Sequence, residues 1–290
     1  MTRGACGVRL GDGRLHLQHG PIDLVIAADA ASGTSVEAAY QAAWRRFQGV
    51  LQEIVDDLTA LRRPLRDIAP VVRGAVPARM VAAAWPHRAV YVTPMAAVAG
   101  AVADDILLHM RSAALLDRAC VNNGGDIALW VASGRTLRIG IAAGSNGGEI
   151  EGTMEIDGDS GVGGVATSGW RGRSLSLGIA DAVTVLAGSA AQADVAATLV
   201  ANAVDADHPG IRRMPADAVR EDTDLGTLPV TVDVGPLDRR TIAFALDRGV
   251  RRAEALRARG ELLSAVLRLC GSARVVERSG ATTGHGMRVA

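Results

Sequence analysis

The chain has 290 residues, 49% of them hydrophobic, enough for one large packed domain or two small ones. Basic and acidic side chains balance at 31 each and 3% of residues are aromatic, which argues against a nucleic-acid partner. Three scattered cysteines (Cys6, Cys120 and Cys270), the lack of an apolar leader and charges in every apolar run lead to the expectation of a reduced, soluble, cytoplasmic protein with no membrane partner.

Residues 7–30 read as two or three strands of a meander, GVRL, RLHLQHG and IDLVIAA, broken by Gly11, Gly13 and Gly20-Pro21. His16 and His19 fall on opposite strand faces, which argues against a shared metal. Thr34-Ser35-Val36-Glu37 has capping-box spacing. Val36, Tyr40, Ala43, Phe47, Leu51, Ile54, Leu58 and Leu61 then mark one face of a long amphipathic helix that must stop by Pro64. Residues 64–88, with Pro64, Pro70, Pro77 and Pro86, are expected to be irregular; Arg79, His87 and Arg88 read as solvated loop charge or could meet a phosphate. Thr93 as N-cap and Pro94 in the first turn open a second helix, MAAVAGAVADDILLHM. Its Ala/Gly face from Ala96 to Ala103 permits close approach of another helix or of a flat ligand.

Cys120 reads as a small buried hydrophobe in a strand that ends at Val121. Asn122, Asn123, Gly124, Gly125 and Asp126 follow before IALWV resumes. Asn-Gly signals a tight hairpin, whereas five such residues suit a ligand loop with exposed N–H groups; both readings stay open. TLRIGIAAG and EIEGTMEID look like strands around a GSNGG turn. VGGVATSGW resembles a strand entering a hydroxyl-rich turn at Thr167, Ser168 and Gly169. Arg171 and Arg173 follow, making a phosphate or carboxylate cradle. LSLGIADAVTVLA reads as a strand carrying Asp181.

A helix opens at Ser189, with Ala and Val nearly all round and Asp194, Thr198 and Asn202 at i, i+4 and i+8 on one face. Buried Asp194 needs a partner. It caps a neighbouring segment, or the stripe faces a ligand or a hard oxygen-liganded ion, Mg²⁺ or Ca²⁺. Residues 208–229 form a polar excursion and LPVTVDVG a strand. Leu237–Arg259 and Glu261–Cys270 are helical in pattern, ARVVE is a last edge strand, and SGATTGHGMRVA is a disordered tail that removes His285 from consideration. The expected organisation is one domain over 1–278 with a tail at 279–290. No dinucleotide fingerprint, P-loop, GxSxG or HExxH is present.

VNNGGDIAL (Val121–Leu129), VATSG (Val165–Gly169) and ADVAAT (Ala193–Thr198) resemble three segments of the ApbE-like superfamily, in the same order. These are its Gly-Gly-Asp/Asn loop, its Ala-Thr-Ser-Gly turn and its Ala-Asp-x-x-x-Thr helix start. TPMAAVAGAVAD, from Thr93 to Asp104, fits the superfamily's small-residue helix. Its best-known members are FAD:protein FMN transferases, and the whole chain looks closer to a shorter, uncharacterised branch. The resemblance implies an α+β fold with mixed and antiparallel sheets packed on long amphipathic helices.

It further implies Mg²⁺ held by Asp194, Thr198 and a backbone carbonyl of the small-residue helix, assigned to Ala97. FAD or a related nucleotide would lie against Asn122, Asn123, Gly124, Gly125, Asp126, Thr167, Ser168, Gly169 and Asn202, with Arg171 neutralising phosphate. Asp181, as base or second metal ligand, and Arg173 are the catalytic candidates; Asp181 as a structural strand-end residue stays open. The superfamily's transferases carry a Lys in the small-residue helix, where Gly100 or its neighbours stand here. They also carry a His-x-x-Asp-Pro segment where this chain has RSLSLGIADAV, and Arg173 stands where the uncharacterised branch commonly has His. Three functions follow as expectations. The first is a nucleotide or phosphate-ligand protein with metal-assisted phosphoryl or pyrophosphate chemistry, as transferase or hydrolase. The second is a non-catalytic accessory protein of cofactor, sulfur or redox metabolism. The third is an Arg173-dependent hydrolase for another phosphate or carboxylate. Small-residue helix faces leave a homodimer open.

Overall fold

In the computed structural model of the chain, residues 4–30, 34–142, 150–277 and 288–289 are described. The side chains of Thr34 and Ser35, the GSNGG turn and most of the expected tail, His285 included, lie outside that set. The chain gathers into two compact units, one of Met1–Ile139, Glu155–Val165 and Ala187–Asp194, the other of Gly140–Met154, Ala166–Leu186 and Val195–Ala290. Helices and antiparallel strands are mixed throughout, the α+β class expected.

The first unit begins with the meander: β1 (Cys6–Arg9), β2 (Leu15–His19) and β3 (Ile22–Asp29) pair antiparallel. Alternation in β3 sends Ile22, Leu24 and Ile26 inward. Helix α1 (Thr34–Asp56) breaks at Asp57 into the single turn α2 (Leu58–Leu61). Phe47 and Val50 of α1 are fully buried with Leu17, Leu24 and Ile26, the core of the unit.

The segment expected to be irregular contains a helix, α3 (Ala75–Ala84). Pro77 lies in its first turn, where the missing N–H breaks no intrahelical bond, so the proline starts a helix instead of preventing one. Side chains at and just past the end of α1 hold its N-terminus: Glu53 accepts the Val76 N–H at 2.8 Å, and Asp57 those of Arg73 and Gly74 at 2.8 and 3.2 Å. Thr93 caps the next helix as expected, accepting from the Met95 N–H at 3.2 Å. A 3₁₀ turn, Pro94–Ala97, leads into α4 (Val98–Ala113).

Strand β4 (Arg118–Asn123) then pairs with β3 and with β5 (Asp126–Val131). β6 (Thr136–Ala142) and β7 (Ile150–Asp157) follow, and β8 (Gly164–Ser168) pairs with β5 at Ile127 and Ala128. β9 (Ala182–Ala187) precedes α5 (Ala190–Ala203), where the Ser189 hydroxyl accepts the Gln192 N–H at 3.3 Å. Asp181, expected within a strand, stands just before β9.

In the second unit, β10 (Ile211–Pro215) and β11 (Pro229–Val234) form a two-stranded sheet around the one-turn α6 (Ala216–Val219). β10 falls inside the expected excursion. Asp238 caps α7 (Arg239–Ala258) by accepting from the Arg240 and Thr241 N–H groups. The helix expected over Glu261–Cys270 is instead a strand, β12 (Ser264–Leu269), paired antiparallel with β9 and with the last edge strand, β13 (Ser272–Val276). A short apolar run carries no period of its own, and ladder partners about 80 residues upstream decide it. Arg288–Val289, within the expected tail, form β14 against Thr153 and Gly152 of β7.

Candidate functional site

In the first unit, the starts of α4 and α5 come together with the β4–β5 hairpin. Small residues make this possible. A Cβ on Gly100 of α4 would sit 2.3 Å from the Ala190 carbonyl oxygen, and one on Gly164 would sit 2.2 Å from the Ala190 nitrogen. The backbone of Ala190 is therefore enclosed by two glycines. At this approach the helices exchange acceptors. Asp194 of α5 accepts the Gly100 N–H at 3.1 Å. Asp104 of α4 accepts the Ala190 and Ala191 N–H groups at 3.0 and 2.9 Å. The two carboxylates thus satisfy N–H groups that an α-helix leaves without intrahelical partners.

The hairpin joins the same place. Of the two readings left open for this segment, the tight hairpin is the one observed: Asn122 and Asn123 pair with Ile127 and Asp126, leaving a two-residue turn. Gly124 and Gly125 alone form the turn, at φ 64° and 112°, left-handed conformations that glycine adopts without cost. Asn122 accepts the Gly125 N–H at 2.8 Å, and buried Asn123 donates to the Ala99 carbonyl at 3.1 Å. The first turn of α4 is consequently held from two sides, by Asp194 on the Gly100 N–H and by Asn123 on a carbonyl.

Electrostatics at this point are unusual. Burial, followed by the charges of Asp126 and Asp104, pushes the Asp194 carboxyl well above the ordinary carboxylate range, against the nearby Gly100 and Ala99 N–H groups that favour its ionised form. Burial likewise raises Asp104, outweighing its own N–H bonds. Asp194 nevertheless keeps part of its surface accessible. Such a carboxyl either holds a proton or attracts a cation. Ala97 is fully buried at the end of the 3₁₀ turn, three residues before Gly100; Thr198, one helical turn beyond Asp194 on α5, falls in the second unit. A carboxylate, a hydroxyl and a main-chain carbonyl are the hard oxygen donors that suit Mg²⁺. Among the described residues no group of three His, Cys, Asp or Glu side chains is arranged to hold a metal, and the expected set requires only one carboxylate.

The remaining candidates lie in the second unit. Asp181 accepts from Arg171 Nε at 2.7 Å and Trp170 Nε1 at 3.3 Å through one oxygen, and from the Cys270 N–H at 2.5 Å through the other. The Arg171 guanidinium also stacks 4.7 Å from the centroid of the Trp170 ring. A Cβ on Gly169 would meet the Asp181 carbonyl oxygen at 2.5 Å, so this glycine serves the close passage of two backbone segments. Thr167 and Thr184 share a hydroxyl hydrogen bond of 2.9 Å, while Ser168 is partly exposed. Asn202 accepts the Leu177 N–H at 3.0 Å and the Ser176 hydroxyl at 3.3 Å. Arg173 is exposed, and its carbonyl accepts from Arg220 at 2.7 Å. Cys120, in β4, has its thiol pushed up to about 12 by burial, so it is no nucleophile.

Asp104 was not among the residues singled out from the sequence. Its signal was present as the Asp-Asp pair inside the apolar helical run VAGAVADDILL, from Val98 to Leu108, where two adjacent acids each demand a partner. The second of the pair, Asp105, is buried against Arg46 at 2.6 Å.

A family model described as "AbpE bacteria" matches residues 8–275. A UPF0280 protein of Methanothrix thermoacetophila is 44% identical over 119 residues, 40% of this chain and 48% of its own length. Another, from Methanothermobacter thermautotrophicus, is 36% identical over 145 residues, 49% of this chain and 54% of its own length. The chain thus spans about half the length of the curated relatives it matches. Among solved structures, the flavin transferase ApbE from Vibrio cholerae is 12% identical with a TM-score of 0.48, covering 95% of this chain and 97% of that one. The apo flavinyl transferase ApbE of Pseudomonas stutzeri is 14% identical with a TM-score of 0.43, covering 95% and 94%.

Proposed function

The chain belongs to the ApbE-like family, and from that premise we propose that it binds a flavin or another nucleotide or phosphate ligand together with a divalent metal ion. The observation that carries the reading is Asp194: a carboxyl raised by burial and by the charges of Asp126 and Asp104, fixed against the first turn of α4. Asp194, Thr198 and the Ala97 carbonyl would hold Mg²⁺. A bound divalent ion supplies charge that polarises a phosphate oxygen and stabilises a leaving group. Asn123 keeps the first turn of α4 in place, and the Gly124-Gly125 turn leaves room for a ligand to approach the backbone. Within the second unit, Thr167, Ser168 and Arg171, the last oriented by Asp181, are by themselves suited to an anionic group. That engagement supports Asp181 as an orienting residue instead of a base.

Titration calorimetry with FAD, with and without Mg²⁺, on wild type and Asp194→Ala tests this reading. Metal-dependent binding that the variant loses is the expected result. Equal binding by a folded Asp194→Ala protein would sink it.

A second reading, a non-catalytic ligand-binding or accessory protein, is favoured by Gly100. All 31 basic residues are arginine, so the lysine of the transferases is missing everywhere. At Gly100 the Ala190 carbonyl stands 2.3 Å from any Cβ, leaving no room for a side chain. Tight FAD binding without any turnover of FAD over a day's incubation supports this reading, and release of FMN or AMP excludes it.

A further inference from the structure

Helices α4 and α5 present matching pairs, each a contact residue followed four positions later by an aspartate. Gly100 and Asp104 stand on α4, Ala190 and Asp194 on α5. Gly100 meets the Ala190 backbone, and each aspartate reaches back to the first turn of the other helix. Asp104 takes the N–H groups of Ala190 and Ala191 on separate oxygens. Two bonds to consecutive N–H groups restrain both the rotation of α5 about its axis and its slide along it. Asp194 lies one turn further on and inherits that restraint, since the helix between them is continuous. The lost freedom matters because the Asp194 carboxyl has no flexible stem with which to correct a rotated helix.

We propose that Asp104 is the positioning residue of the Asp194 site, setting its affinity for a divalent cation without touching the cation. This inference rests on the reading of Asp194 as a metal ligand. Side chains that orient ligands from behind typically change metal affinity by about 10- to 100-fold when removed, and that range is expected here. Asparagine at 104 can accept only one of the two N–H groups and turns its own amide hydrogens toward the other.

The test titrates the full chain with Mn²⁺, reading free Mn²⁺ by electron paramagnetic resonance, for wild type, Asp104→Asn, Asp194→Ala and Glu53→Gln. Glu53 caps α3 in the same manner, through the Val76 N–H, and serves as the control for a merely structural cap. Asp104→Asn should weaken Mn²⁺ binding at least tenfold and speed amide exchange at Ala190 and Ala191. Glu53→Gln should lower stability and leave Mn²⁺ binding as in wild type. If Asp104→Asn does not fold, Asp104→Glu, which displaces the carboxylate by one methylene, carries the same expectation. Mn²⁺ affinity within twofold of wild type in a folded Asp104 variant, with Asp194→Ala inactive in binding, overturns this inference alone. Mn²⁺ binding retained by Asp194→Ala, or absent from wild type, overturns the metal-ligand reading and this inference with it.

Discussion

Asp104 and Asp194 cap each other's helices: Asp104 accepts the Ala190 and Ala191 N–H groups at the start of α5, and Asp194 accepts the Gly100 N–H at the start of α4. Neither has a lysine or arginine bonded to it among the described interactions, so two buried carboxylates are balanced chiefly by main-chain dipoles. A helix N-terminus offers about half a positive charge, less than either acid carries. Burial therefore leaves both carboxyls above their ordinary range, because the N–H groups offset only part of its effect.

The glycines at this approach should be intolerant of any side chain. Gly100→Ala and Gly164→Ala each put a methyl within 2.4 Å of Ala190 backbone atoms, which cannot swing aside as a side-chain end would. Each should lower unfolding free energy by about 1–3 kcal/mol, read from urea denaturation. Gly13→Ala would make a poor control because φ is positive there; Gly11→Ala, with open space around it, should cost well under 1 kcal/mol from packing.

Stability should fall with pH through the titration of Asp104. Burial raises this carboxyl from 3.8, while in the unfolded chain it returns there. An acid with a raised folded pKa contributes stability that is full below the unfolded value and is lost as pH rises through the folded one. Asp104→Asn cannot ionise, so its stability should gain on that of wild type as pH climbs upward from 3.8. Urea midpoints for the two proteins across that window provide the check, and a constant difference would contradict the assignment.

Asp105 anchors a buried charge cluster in the first unit. Its side chain is 1% exposed and bonds Arg46 at 2.6 Å, and Arg46 in turn bonds Glu53 at 2.6 Å. Asp105→Ala strands Arg46 next to one remaining acid and should cost about 3–5 kcal/mol. Replacing Arg46 and Asp105 together by Met and Leu should recover most of that loss. A double variant as unstable as the single one would show that shape, not charge, governs the position.

Cys270 is the non-glycine residue at positive φ among the described residues, at 47°, in the Cys270-Gly271 turn between β12 and β13. Asparagine tolerates this conformation better. Cys270→Asn should therefore stabilise the protein by up to about 1 kcal/mol, while the main-chain bond to Asp181 stays. A lower melting temperature for the variant would mean that the thiol itself packs favourably.

Local signals carried much of the architecture. Alternation specified β2 and β3, the 3.6-residue period specified α1 and α7, and Thr93 and Ser189 announced the starts of α4 and α5. The position of Asp194 on an otherwise Ala/Val helix marked it for a partner, and both the capping and the cation readings were legible from that. Other features were not legible. Pro77 looked like a breaker until its place in the first turn of α3 was known, and Ser264–Leu269 has no period that separates a buried strand from a buried helix.

The sequence by itself determined where β2, β3, α1, α4, α5 and α7 lie, because caps, periods and turns act over a few neighbouring residues. Only the tertiary structure decided what Asp194 touches, that Asp104 answers it, and that Asn123 belongs to a hairpin and not to an open loop. The bonds concerned join residues 94, 86 and 24 positions apart. Their formation depends on glycines that let two helix starts approach to backbone contact, and no local pattern encodes which backbone will fill the space a missing side chain leaves.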